Sequence, residues 1–135
     1  VVPSNVVVLG TMNTADQSIG LLDMALRRRF HFVRLEAEPE RLERWLERHA
    51  PGMRAVVAVM RALNTQLQQH GVTRDRLVGH SHFMRIGLDE EALARIWRGS
   101  IVPLVEELFH GRDDVIALYD YAVFVEPRLG SATRV

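Results

Sequence analysis

The sequence contains no cysteine and no lysine; its 17 basic residues besides histidine are all arginine. Without cysteine there are no disulfides and no thiolate metal sites, and the redox compartment leaves no mark. Without lysine there is no phosphate-binding loop of the Gly-x-x-x-x-Gly-Lys type, because that loop sets its lysine on the β- and γ-phosphates. No apolar run approaches the roughly 20 residues of a membrane span. Excess charge is missing too: 17 acidic residues balance the 17 arginines. Global electrostatics therefore offer no argument for nucleic acid, a membrane surface or an acidic substrate. The start, Val1-Val2-Pro3-Ser4-Asn5, has no basic segment of a signal peptide and no initiator methionine, and does not read as a natural N-terminus. The two strands predicted below cannot make a stable parallel sheet alone, so either further strands are expected upstream or a partner completes the sheet edge.

What is present is an ordinary globular composition, 47% hydrophobic and 25% charged over 135 residues. Val6-Val7-Val8-Leu9 is a β-branched run closed by Gly10, which suits a strand covered on both faces. A polar turn follows from Thr11 to Asp16. Ile19 to Arg29 reads as a helix, capped at Thr14 with Gln17 or at Asp16. Phe30 to Leu35 alternates with period 2 and predicts a second strand.

After Pro39 the periodicity becomes helical. Leu42, Trp45 and Leu46 share a face of a helix over about 40–49, which Pro51-Gly52 breaks. Met53, Val56, Val57, Met60, Leu63 and Leu67 form a stripe that ends at Gly71. Asp89 can cap a helix bearing Leu93, Ile96 and Trp97, and Pro103 suits the first turn of another carrying Leu104, Val105 and Leu108. Residues 113–125 fit either a helix or a strand, and the tail after Pro127 reads as loose. The Glu/Arg run from Glu36 to Arg48 reads as a solvated face with i,i+4 pairs. The expected fold is an α/β fragment over 1–36, a helical domain over 37–126 and a flexible tail over 127–135.

Two segments invite chemistry. Gly10 to Asp16 follows the carboxyl end of the first predicted strand, where open α/β sheets bind ligands. Asn13 there could orient a water beside a phosphate, or the segment could be a tight turn and helix cap. Arg27-Arg28-Arg29 ends the predicted helix and could complement its dipole. It could equally present a guanidinium to a neighbouring subunit's γ-phosphate, worth roughly 10³–10⁵ in rate. His80-x-His82 has no carboxylate or third histidine at supporting spacing, so no metal site is expected.

Taken together, Thr11-Met12-Asn13-Thr14-Ala15-Asp16, Ser18 and Ala25-Leu26-Arg27-Arg28-Arg29-Phe30 resemble the stretch from sensor I to the arginine finger in McrB-type AAA+ NTPases. Val78-Gly79-His80-Ser81-His82-Phe83 resembles that family's lid motif, and Ile101 to Phe109 its following helix. The likeness covers about residues 5–110. It implies that the chain is the back half of an AAA+ module, with the end of a parallel P-loop-type sheet followed by a mainly α-helical lid. It implies catalytic roles for Asn13, Asp16, Arg28 and Arg29, and nucleotide contact from the lid by His80 and Ser81. Gln17 stands where the family usually carries a basic residue. The resemblance further implies a cytoplasmic GTPase or ATPase that uses Mg²⁺ in its full-length form. It would assemble in a homo-oligomeric, hexameric ring and drive a McrC-like nuclease, so that it meets DNA indirectly. This segment alone, without P-loop or Walker B acids, is expected to hold no cofactor and to be inactive. Leu88-Asp89-Glu90-Glu91 reads as a helix start rather than a Walker B strand, and Asp113-Asp114 fits no better. The competing expectation is a degenerate or freestanding helical interaction module without catalysis.

Overall fold

A computed structural model describes residues 3, 5–12 and 28–132. The chain divides into two units, Val1–Arg34 and Leu35–Val135.

In the first unit no strand forms among the described residues. Val7 and Leu9 are each 92% exposed, so the apolar run lies open rather than between two layers. The physical reason is the one a parallel sheet imposes: such a strand is stable only between neighbours, and none of the described residues supplies a ladder. The predicted strand over 30–35 likewise has no ladder; Val33 is 71% exposed and Leu35, the first residue of the second unit, 85%. Most of the predicted helix over 19–29, with Thr14 and Gln17, lies outside the described residues. Arg28-Arg29-Phe30 is a turn and bend.

The second unit is helical. Helix α1 (Pro39–His49) starts on a proline whose missing N–H has no partner to lose in a first turn. Glu40 sits in its first turn and Arg48 and His49 in its last, the charge order a helix dipole favours. It buries Leu42 and Leu46, and Trp45 covers His49 with ring centroids 4.7 Å apart. A 3₁₀ turn at Pro51–Met53 leads into helix α2 (Ala55–Gln69), the central element. Val56, Val59, Met60, Leu63 and Leu67 of α2 are completely buried. The helix ends in a Schellman arrangement: Val72 N–H donates to Leu67 O at 3.0 Å and Gly71 N–H to Gln68 O at 2.9 Å. Gly71 supplies the left-handed φ of +89° that this cap demands.

The acidic residues of α1 pair largely across to α2 and its approach. Arg61 meets Glu40 at 2.8 Å, and Arg54 meets Glu47 at 2.8 Å and Glu43 at 3.8 Å. Arg41–Glu38 is a local pair, three residues apart. These groups are exposed and screened by solvent, so the pairs mainly set orientation.

Helix α3 (Glu90–Ile96) is capped by the Asp89 carboxylate, which accepts from Ala92 N–H at 2.7 Å. It runs without a break through a π turn at Trp97–Ile101 into helix α4 (Val102–Leu108). The sequence suggested a fresh start at Pro103. Instead the helix widens by one residue, and Val102 N–H reaches back to Trp97 O. Proline has no N–H and its ring crowds the preceding turn, and a π turn is a local way to accommodate both.

Helix α5 (Asp113–Ile116), a 3₁₀ turn (Ala117–Tyr119) and helix α6 (Tyr121–Phe124, capped by Asp120) resolve 113–125 as helical. Helix α7 (Glu126–Ala132) replaces the loose tail expected after Pro127. It packs against α2 and α6, and Leu129 is part-buried against the core. Among the described residues no helix is long and apolar enough to cross a membrane.

The core ends in an aromatic cluster. Tyr119 stacks on Phe109 at 6.0 Å and Phe124 at 5.7 Å, and its buried hydroxyl makes no hydrogen bond of good geometry, although the Gln66 side chain lies close enough to act on it. Burial pushes that hydroxyl up to about 12, only partly offset by the Gln66 side chain. In the unfolded chain it ionises near its ordinary value of 10.0. Its contribution to stability is therefore intact below that value and is lost as pH rises towards about 12. Tyr119→Phe removes the orphaned hydroxyl without opening a cavity. It should raise stability by up to about 1 kcal/mol at neutral pH and flatten the alkaline loss. Urea unfolding at neutral and alkaline pH measures both; a lower midpoint for the variant at neutral pH would show that the hydroxyl is satisfied.

Candidate functional site

The segment that the lid motif singles out is short and held at three points. Leu77 and Gly79, on either side of Val78, are extended, and His80–Phe83 forms a 3₁₀ turn. The first anchor is Asn64 on α2. Its Nδ2 donates to Val78 O and its Oδ1 accepts from Val78 N–H, both at 2.9 Å. A single side-chain amide thus satisfies both backbone groups of a residue that is 1% exposed. Asn64 is the buried polar residue of the core at 8% exposure, and the two bonds compensate its burial. The second anchor is Phe83, completely buried at the far end of the turn. The third is a hydrogen bond from Glu38 N–H to His80 Nδ1 at 3.2 Å, which ties the turn to the start of α1.

Between these anchors the polar groups face outward to different degrees. Ser81 is exposed, and His80 and His82 are part-buried. Burial holds the His82 imidazole below its usual range, and Arg85 nearby adds to the effect by charge repulsion. Gly79 leaves room beside Ser81: a Cβ there would lie 3.7 Å from Ser81 Oγ, an ordinary contact.

The structure brings His80 and Ser81 together on this turn. Arg28 and Arg29 are exposed in a turn of the first unit. Asn13 and Asp16 lie outside the described residues. Asn64 and the Glu38 backbone were not singled out in the sequence, although a signal for Asn64 was there. Met60, Leu63, Asn64 and Leu67 fall at i, i+3, i+4 and i+7, which puts an amide on an apolar face. Among the described residues no three histidine or acidic side chains converge on a metal position. An exposed hydroxyl and an imidazole on this turn suit contact with a polar ligand.

A helical unit with a clamped Gly-His-Ser turn at its surface has the make-up expected of a lid-type domain. Residues 55–117 match the family model for the McrB α-helical lid domain. The chain is McrB-type, and this stretch is its lid. Among curated proteins it is similar to the EcoKMcrB subunit of the type IV methyl-directed restriction enzyme of Escherichia coli (strain K12). The two are 34% identical over 121 residues, which is 80% of this chain and 26% of that protein. The chain thus spans about a quarter of the length of this relative. No solved structure matches it.

Proposed function

We propose that the chain is the C-terminal segment of a McrB-like AAA+ motor, a ring-forming GTPase or ATPase that drives a DNA restriction endonuclease. The observation that carries this reading is the lid match over residues 55–117, which encloses the clamped turn of His80 and Ser81. The similar restriction-enzyme subunit supports the biological setting. On this reading a P-loop and Walker B acids upstream hold the nucleotide and Mg²⁺. His80 and Ser81 approach that nucleotide from the lid. Asn13 and Asp16 form the catalytic turn, and Arg28 and Arg29 face the nucleotide of the neighbouring subunit. A McrC-like nuclease is the partner, and DNA is met through it.

Two measurements test the proposal. The 135-residue chain by itself should bind GTP and ATP weakly or not at all, with or without Mg²⁺, in a calorimetric titration. Tight Mg²⁺-dependent binding would mean that the phosphate site lies within this chain, contrary to the reading. The full-length protein should hydrolyse one of the two nucleotides. Absence of turnover on both, in the presence of nuclease partner and DNA, would favour a non-catalytic interaction module.

A further inference from the structure

His80 lies on a turn with both ends pinned, Val78 by Asn64 and Phe83 by the core. Its Nδ1 accepts the Glu38 N–H at 3.2 Å. A backbone N–H can only donate, so Nδ1 offers its lone pair, and the neutral ring carries its proton on Nε2. Glu38 is itself held: its carbonyl accepts from Arg41 N–H at 3.1 Å and Leu42 N–H at 3.3 Å in the first turn of α1. The ring orientation is thus set by backbone at the entrance to the lid, 42 residues away in sequence.

We infer that His80 is a specificity-determining hydrogen-bond donor: through Nε2–H it takes an acceptor atom of the nucleotide, such as a phosphate, sugar or base oxygen or an unprotonated base nitrogen. Asn64 is the positioning residue for the turn that carries it. This rests on the proposed reading that the turn approaches a nucleotide. A donor of fixed orientation selects against ligand groups that can only donate, because a donor facing a donor leaves both unpaired. Asn64 acts one step back. If its amide lets go of Val78, the turn loses the anchor two residues before His80.

Two experiments separate the ring geometry from the nucleotide reading. The first is a long-range proton–nitrogen correlation on the ¹⁵N-labelled chain at about pH 8.5, where histidine is ordinarily neutral. It should show His80 with a protonated Nε2 and a bare Nδ1. A dominant Nδ1–H form overturns the inference. The second measures binding of a non-hydrolysable GTP or ATP analogue to the full-length protein. A glutamine amide nitrogen can reach the place of Nε2, whereas that of asparagine reaches only as far as Nδ1. His80→Gln should therefore hold the Kd within about threefold, while His80→Asn and His80→Phe weaken it by about tenfold. Equal losses for glutamine and asparagine overturn the donor role while leaving lid contact standing. No loss in any of the three overturns lid contact and the inference with it.

Asn64→Asp keeps the acceptor for Val78 N–H and removes the donor to Val78 O. It should raise the Kd by about fivefold with kcat at saturation unchanged. A loss of stability or kcat with the Kd unmoved would make Asn64 a purely structural residue.

Discussion

Arg28→Ala and Arg29→Ala, made separately in the full-length protein, should leave nucleotide binding largely intact and lower turnover. The finger arginine should lose roughly 10³–10⁵-fold. The size follows from what the transferred phosphoryl group needs. Charge builds on its oxygens in the transition state, and a guanidinium supplied by a neighbouring subunit offsets that charge without helping the ground state. Both side chains are exposed in a turn, where they can be presented outward. A residue used mainly to complement a helix dipole would instead cost about 1 kcal/mol of stability and leave kcat alone. The two readings left open by the sequence thus predict different observables. Steady-state kinetics with a parallel Kd measurement decides between them. Unchanged turnover in both variants removes the finger assignment. A rise in KM alone would place the arginines in ground-state binding instead. Mixing wild-type and variant subunits adds a check, since a finger acting across a subunit boundary lowers the activity of its neighbour's site.

The helical stripes of the lid were legible because their apolar residues recur often enough to define a face. Leu42 and Leu46 on α1, and Val56 through Leu67 on α2, are buried where that spacing puts them. Residues 113–125 resisted the same reading. Over so short a stretch Val115, Tyr119, Ala122 and Tyr121-Ala122-Val123-Phe124-Val125 satisfy helical and alternating patterns at once. Tertiary packing decides it: the Tyr119 ring stacks on Phe109 and Phe124, Phe124 stacks on Trp97, and the Trp97 indole N–H donates to the Tyr119 carbonyl, contacts made from a chain of short helical turns. Helix α7 was missed because Leu129 is the one large apolar residue after Pro127 in the described chain, too little for a period. The opposite limit applies to Val6–Leu9. A β-branched run states a preference for a strand, but a ladder needs a neighbour. At the candidate site, His80 and Ser81 could be named from their motif. The Glu38–His80 bond could not, because nothing local links residues 42 apart.

Trp97 carries the second large expected effect. Its side chain is completely buried where α3 passes into the π turn. It stacks on Phe124 at 5.3 Å, and its Nε1–H donates to Tyr119 O at 2.7 Å. The residue thus ties the α3–α4 helix to the short C-terminal turns through both surface and a hydrogen bond. Trp97→Ala removes the indole and should cost about 3–5 kcal/mol, the range for deleting a large buried aromatic. A lid of about 100 residues is stabilised by only about 5–15 kcal/mol, so this variant should unfold at a much lower urea concentration. Trp97→Phe separates the two contributions. It keeps ring contact with Phe124, leaves Tyr119 O without its donor and opens a smaller void, so an intermediate loss of about 1–3 kcal/mol is expected. Far-UV circular dichroism during urea unfolding gives both values, with Trp45 left as the remaining fluorophore. If alanine and phenylalanine cost the same, the hydrogen bond to Tyr119 dominates over packing. A loss below about 1 kcal/mol for alanine would mean that the C-terminal turns are not tied to the lid through Trp97.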